Sequence, residues 1–155
     1  MKMRIKIPYF KQEKNTTCGV ACVKMVLAFH GKEISEFDLE DACETSWLGN
    51  TCGEIVAGVK KLGFDAEEID QVTIKYLSAQ LRKKYPFIAL IDPAVLYGGI
   101  EGFGHFVVIT GIEDDKIYYH DPDLDKDLTK NITHFKKAWK KFSCKGVRIC
   151  KSLKK

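Results

Sequence analysis

Among the side chains of this 155-residue chain that could do chemistry, Cys18 has the most telling position. It follows the polar run from Lys11 to Thr17. It also begins the apolar series Cys18, Ala21, Cys22, Met25, Val26 and Phe29, whose spacing repeats on one helical face. That pattern predicts a helix starting near Cys18, capped by the Thr17 hydroxyl and stopped at Gly31. In a helix's first turn the unpaired N–H groups and the positive end of the dipole favour an anion, so Cys18 is placed to act as a thiolate nucleophile. Cysteine is also a small buried hydrophobe in most proteins, and Cys22, one turn further in, fits that description. Position alone leaves both readings of Cys18 open, and its partners must decide.

A nucleophilic thiol needs a base, and the chain has four histidines. His30 falls at the far end of the Cys18 helix, where a cation is favourable anyway and distance removes it from Cys18. His134 opens a basic segment and reads as a cap or a solvated residue. His105 follows a glycine-rich stretch and begins the strand-like run FVVIT, a place from which a side chain can project off a sheet edge into a cleft. His120 ends the next strand beside Asp121 and Pro122. Either His120 or Asp121 could face the same cleft, although Asp before Pro also commonly starts a turn.

The elements that must position these residues can be read in outline. Met1 to Ile7 alternates apolar and basic residues as a half-buried strand does, and Pro8 ends it. Ser35 with Asp38, and Thr51 with Glu54, announce helices to about Glu44 and Leu62, the second closed by Gly63. Phe64 to Ile69 reads as a strand, and Thr73 caps a helix with Ile74, Leu77 and Leu81 inward. Further strands are expected at Pro86 to Ile91, Phe106 to Ile112, Ile117 to His120 and Val147 to Cys150. Helices first and strands after indicate an α+β fold in a single domain spanning residues 1–155. Between the first two of these later strands, DPAVLYGGIEGFG carries glycines at 98, 99, 102 and 104 and suits a mobile loop. Its glycines lack the order of a nucleotide-binding loop.

Composition narrows the function classes. With 45% hydrophobic residues the chain can bury a core, and no apolar run is long enough to span a bilayer or serve as a signal peptide. A cytoplasmic protein with reduced thiols is expected, since the six cysteines contain no CxxC pair. A net charge of +4 and a lysine-rich end could attract nucleic acid. However, HFKKAWKKF puts Phe135, Ala138, Trp139 and Phe142 on one face and its lysines on the other, as an ordinary surface helix does, and no nucleic-acid module is recognisable. Softness would allow Cys18, Cys22 and His105 to hold a metal, but their spacing lends no support. No metal or other cofactor is expected.

Together these segments resemble a known family. QEKNTTCGVAC is similar to the Gln, five residues, Cys-Gly opening of the bacteriocin-leader, or double-glycine, cysteine peptidases, which have a papain-like fold. GNTCGEIVAGVKKLGF resembles that family's second helical block, GHFVVITGI its histidine strand, HDPD its Asp-Pro segment and FKKAWKKF its closing helix. The resemblance implies that Cys18 is the nucleophile, His105 the general base and acid, Asp121 the residue orienting the imidazole, and Gln12 a donor to the oxyanion. It further implies a peptide substrate cut after a small residue such as glycine, docked in extended form. The best-known members are parts of membrane transporters, whereas this sequence shows neither membrane spans nor an ATPase. An acyltransferase or amidase would use the same residues with another acceptor, and a non-catalytic peptide-binding module would keep the cleft alone. Oligomeric state is not legible.

Overall fold

The structure, a computed structural model, describes residues 2–151. Met1, taken above as part of the first strand, lies outside the described residues. The strands are β1 (Lys2–Arg4), β2 (Asp65–Ile69), β3 (Phe87–Ile91), β4 (His105–Glu113), β5 (Lys116–Asp121), β6 (Asp125–Asn131) and β7 (Gly146–Cys150). They form one antiparallel sheet in the order β2-β7-β3-β4-β5-β6, with β1 paired to the far half of β4. Helices α1 (Cys18–Phe29), α2 (Glu36–Ala42), α3 (Cys52–Lys61), α4 (Ile74–Arg82), α5 (Pro93–Tyr97) and α6 (Ile132–Lys140) complete the fold. Among the described residues no helix is long and apolar enough to cross a membrane.

Side chains alternate across a strand, so neighbouring residues serve opposite faces. Ile88, Phe106, Val108, Val147 and Ile149 pack with Val20, Val23 and Leu27 of α1, Leu39 of α2 and Ile55 and Val59 of α3. Phe87, Ala89, Ile91, Val107 and Ile109 pack with Leu77 and Leu81 of α4 and Phe135, Ala138 and Trp139 of α6. With both faces covered, the central strands read as unbroken apolar runs. The fold is the expected α+β arrangement, with the helix that bears Cys18 lying on a sheet that carries His105 and Asp121.

Local signals explain most element ends. Thr51 and Glu54 form a reciprocal capping box, the Ser35 and Thr73 hydroxyls accept from the backbone N–H groups of Asp38 and Tyr76, and Gly31 has φ of 88° just past α1. Thr17 departs from expectation. It occupies the N-cap position of α1 without a side-chain cap bond, because its hydroxyl is turned back to the Lys14 backbone. The first strand is also shorter than the alternation suggested. β1 stops at Arg4, and one further bond, Ile5 N–H to Thr110 O at 2.8 Å, precedes the departure of the chain toward His120.

Two elements were not anticipated. Pro93–Tyr97 is a helix, with Pro93 in its first turn and the Asp92 carboxylate accepting from Ala94 N–H. The same carboxylate accepts from Gly102 N–H at 2.8 Å, so the stretch taken for a mobile loop is tied at both ends. The strand β6, DKDLTKN, is an edge strand whose polar sequence carries no apolar alternation.

Candidate active site

Cys18 is the first residue of α1, and α1 packs against β4. The next residue has to be small. A Cβ on Gly19 would lie 3.1 Å from Ile55 Cδ1 and 3.2 Å from Phe106 Cδ2, so glycine lets the helix start close beside the strand that begins with His105. His105 opens β4 and Asp121 closes the adjacent antiparallel β5, which puts both at the same end of these two neighbouring strands. His105 Nε2–H donates to Asp121 Oδ1 at 2.7 Å, and the imidazole also hydrogen-bonds to Cys18. With Nε2 committed to the carboxylate, Nδ1 is the nitrogen left for the thiol. A thiol, an imidazole and a carboxylate thus follow one another in space.

Electrostatics favour the protonated imidazole. Burial alone would lower the His105 pKa, but hydrogen bonds to Asp121 and Cys18, and then their charges, outweigh it and raise the value to about 10. Asp121 is buried, and its Oδ1 also accepts from Asp123 N–H at 2.9 Å. Burial, followed by the charges of Cys18 and Asp121, pushes the Cys22 thiol well up, so Cys22 is the buried hydrophobe that its spacing suggested. All six cysteines are free thiols, and burial raises Cys43 and Cys52 to about 11.

Gln12 sits on the loop before α1. Its backbone N–H donates to Pro122 O at 2.8 Å, which joins the loop to the Asp121 segment, and its side-chain Nε2 donates to Lys14 O at 2.8 Å. A carboxamide has a second N–H, which that bond leaves available. Gln12 Oε1 is buried with no hydrogen-bond partner among the described residues.

The other histidines fall elsewhere. His120 is buried, its Nε2–H donating to Ile7 O at 2.8 Å and its Nδ1 accepting from Asp127 N–H at 3.1 Å, so both ring nitrogens are occupied away from Cys18. Of the two neighbours, it is Asp121 that meets His105. His30 meets Ile149 O and its pKa is lowered by burial, contrary to a helix-end cation. His134 contacts Val95 O, and the cap of α6 is Asn131 instead.

Two participants had no sequence signal. The Tyr9 hydroxyl donates to Asp121 O at 2.7 Å, and burial, followed by the Asp121 charge, pushes it up to about 12, which keeps it a donor. Glu36, in the acidic stretch between Glu33 and Glu54, is 1% exposed.

Known proteins resemble this chain in sequence and in fold. The Peptidase C39 family model matches residues 6–144. The lactococcin-G-processing and transport ATP-binding protein LagD of Lactococcus lactis is 32% identical over 134 residues, which are 86% of this chain and 18% of that protein. The chain therefore spans under a fifth of that relative's length. A putative C39-like peptidase from Bacillus anthracis superposes with a TM-score of 0.82 at 16% identity, covering 97% of this chain and 98% of the other. A double glycine motif protease from an AMS/PCAT transporter, solved in complex with the leader peptide, superposes with a TM-score of 0.68 at 21% identity over 94% and 91%. These likenesses establish the papain-like peptidase fold. The family match over most of the sequence, on a fold that sets a cysteine beside a half-buried histidine, shows that the chain belongs to the peptidase C39 family and is a cysteine peptidase.

Proposed function

We propose that this chain cleaves a peptide after a small residue, in the manner of a double-glycine leader peptidase, and that residues 1–155 act as one catalytic domain. The observation that carries the reading is the hydrogen-bonded chain from Cys18 through His105 to Asp121, with its 2.7 Å Nε2 to Oδ1 contact. Support for the substrate class comes from the processing role in the name of the LagD relative and from the leader peptide bound to a structural neighbour. Six free thiols fit a reducing, cytoplasmic compartment.

In this mechanism the Cys18 thiolate attacks the scissile carbonyl carbon and the carbonyl electrons move onto oxygen. The oxyanion takes one hydrogen bond from the Cys18 backbone N–H and one from the free Gln12 N–H, each donor worth about 3 kcal/mol. His105 gives its Nδ1 proton to the departing amine as the C–N bond breaks, leaving a thioester. Water then attacks the thioester while His105 takes its proton, and breaking of the C–S bond restores the thiolate. Asp121 keeps the imidazole in the tautomer and orientation that both steps need.

The test is a matched pair of peptides differing only in Gly-Gly or Leu-Leu before the cut, with Cys18→Ala as control. Cleavage of the glycine peptide alone, abolished by the substitution, is expected. Equal turnover of the leucine peptide would refute the small-residue preference. If neither peptide is cut while an amide or thioester is consumed, an acyltransferase or amidase replaces the proposal.

A further inference from the structure

The loop from Gln12 to Thr17 is gripped from another helix. Glu36, the first residue of α2, is buried, and its two carboxylate oxygens accept from Glu13 N–H at 3.1 and 3.2 Å. The Thr17 hydroxyl, itself fully buried, has both Glu36 and Lys14 O within reach as acceptors. Lys14 completes the turn, because its N–H donates to Thr17 Oγ1 at 3.0 Å and its carbonyl receives the Gln12 side chain. One carboxylate therefore contacts Glu13, next to Gln12, and Thr17, next to Cys18.

No cation offsets this charge among the contacts described. The nearby Lys14 ammonium pairs with Glu40 instead, at 3.1 Å. Burial raises the Glu36 pKa, while the hydrogen bonds from Thr17 and Glu13 oppose that rise. A buried unpaired carboxylate is a costly way to hold a loop. What it offers is acceptors only: both oxygens face Glu13 N–H, and the single Thr17 proton can turn from Lys14 O to the same carboxylate. A glutamine of the same shape would keep one acceptor, facing Glu13 N–H, but lose the second acceptor and the charge that draw Glu13 N–H and the Thr17 proton to one point.

We infer that Glu36 is a positioning residue for catalysis: by clamping Glu13 and Thr17 it fixes the separation between the Gln12 side-chain N–H and the Cys18 backbone N–H. This rests on the oxyanion reading proposed above. Oxyanion donors act only within a few tenths of an ångström of their best distance, and a 1 Å error in a reacting geometry can cost about a hundredfold.

The experiment is a double-mutant cycle on the glycine peptide with Gln12→Ala, Glu36→Gln and their combination, reading kcat, KM and the rate of Cys18 alkylation by iodoacetamide. Glu36→Gln is expected to lower kcat by about tenfold to a hundredfold with KM and alkylation unchanged. The combined variant should be no slower than Gln12→Ala alone, since each removes the same donor. Glu36→Asp, which keeps the charge, should retain more turnover than Glu36→Gln, and it provides the reading if the latter fails to fold. Undiminished kcat in Glu36→Gln, or losses that multiply in full, overturn the inference while leaving Gln12 in its role. A Gln12→Ala variant with wild-type kcat instead overturns the oxyanion reading and the inference with it.

Discussion

His105 keeps its proton against burial because hydrogen bonds to Asp121 and Cys18 hold it, and the sign of its pH dependence follows. Its pKa rises from an ordinary 6.5 to about 10 on folding, so the pairing contributes all its stability below about 6.5 and loses it as pH passes through about 10. Turnover should fall over that same alkaline range, when the leaving amine has no proton donor. Iodoacetamide labelling of Cys18 should not fall with it, since a thiolate needs no acid to be alkylated. A pH–rate profile measured beside a labelling profile would check this, and parallel decline of the two would contradict it. At neutral pH Cys18 should label faster than the buried Cys22, Cys43 and Cys52 by about tenfold or more, and His105→Ala should slow it; mass spectrometry reads both. Cys18, His105 and Asp121 were legible as residues of the right type on elements of the right order. The partner of Gln12 and the burial of Glu36 were not, because hydrogen bonds between distant loops leave no local spacing to read.

At the scale of elements, hydrophobic period and caps identified every helix except α5 and every strand except β6. The helix α5 has an Asp-Pro start that was readable, but the glycines after it made the whole stretch look like a loop. For β6 the sequence had little to offer. An edge strand held by pairing with β5 needs no apolar face. A contact that the period also cannot show governs β7, where an added Cβ on Gly146 would stand 2.0 Å from the Ile88 backbone oxygen on β3. Gly146→Ala should force the two strands apart at a cost of about 3 kcal/mol, lowering Tm by about 10 °C. Calorimetry measures this, and an unchanged Tm would show that the strands can slide to make room.

For the whole molecule, the sheet is covered on both faces, and Cys18, His105 and Asp121 lie where α1 meets the sheet end formed by the start of β4 and the end of β5. Two hydrogen bonds cross this region, Gln12 N–H to Pro122 O and Tyr9 hydroxyl to Asp121 O. They join the loop that carries the carboxamide to the turn that carries the carboxylate. The two parts therefore share one fate under stress, and inactivation should be all-or-none. In a denaturant titration, peptide cleavage, rapid Cys18 labelling and tertiary fluorescence from Trp139 should vanish at a single midpoint, with no population that retains a reactive thiol but cannot cleave. Cleavage lost at lower denaturant than fast labelling would mean that the loop comes undone first. With the clasp intact, a damaged molecule of this protein is silent and does not become a slow, unselective thiol reagent.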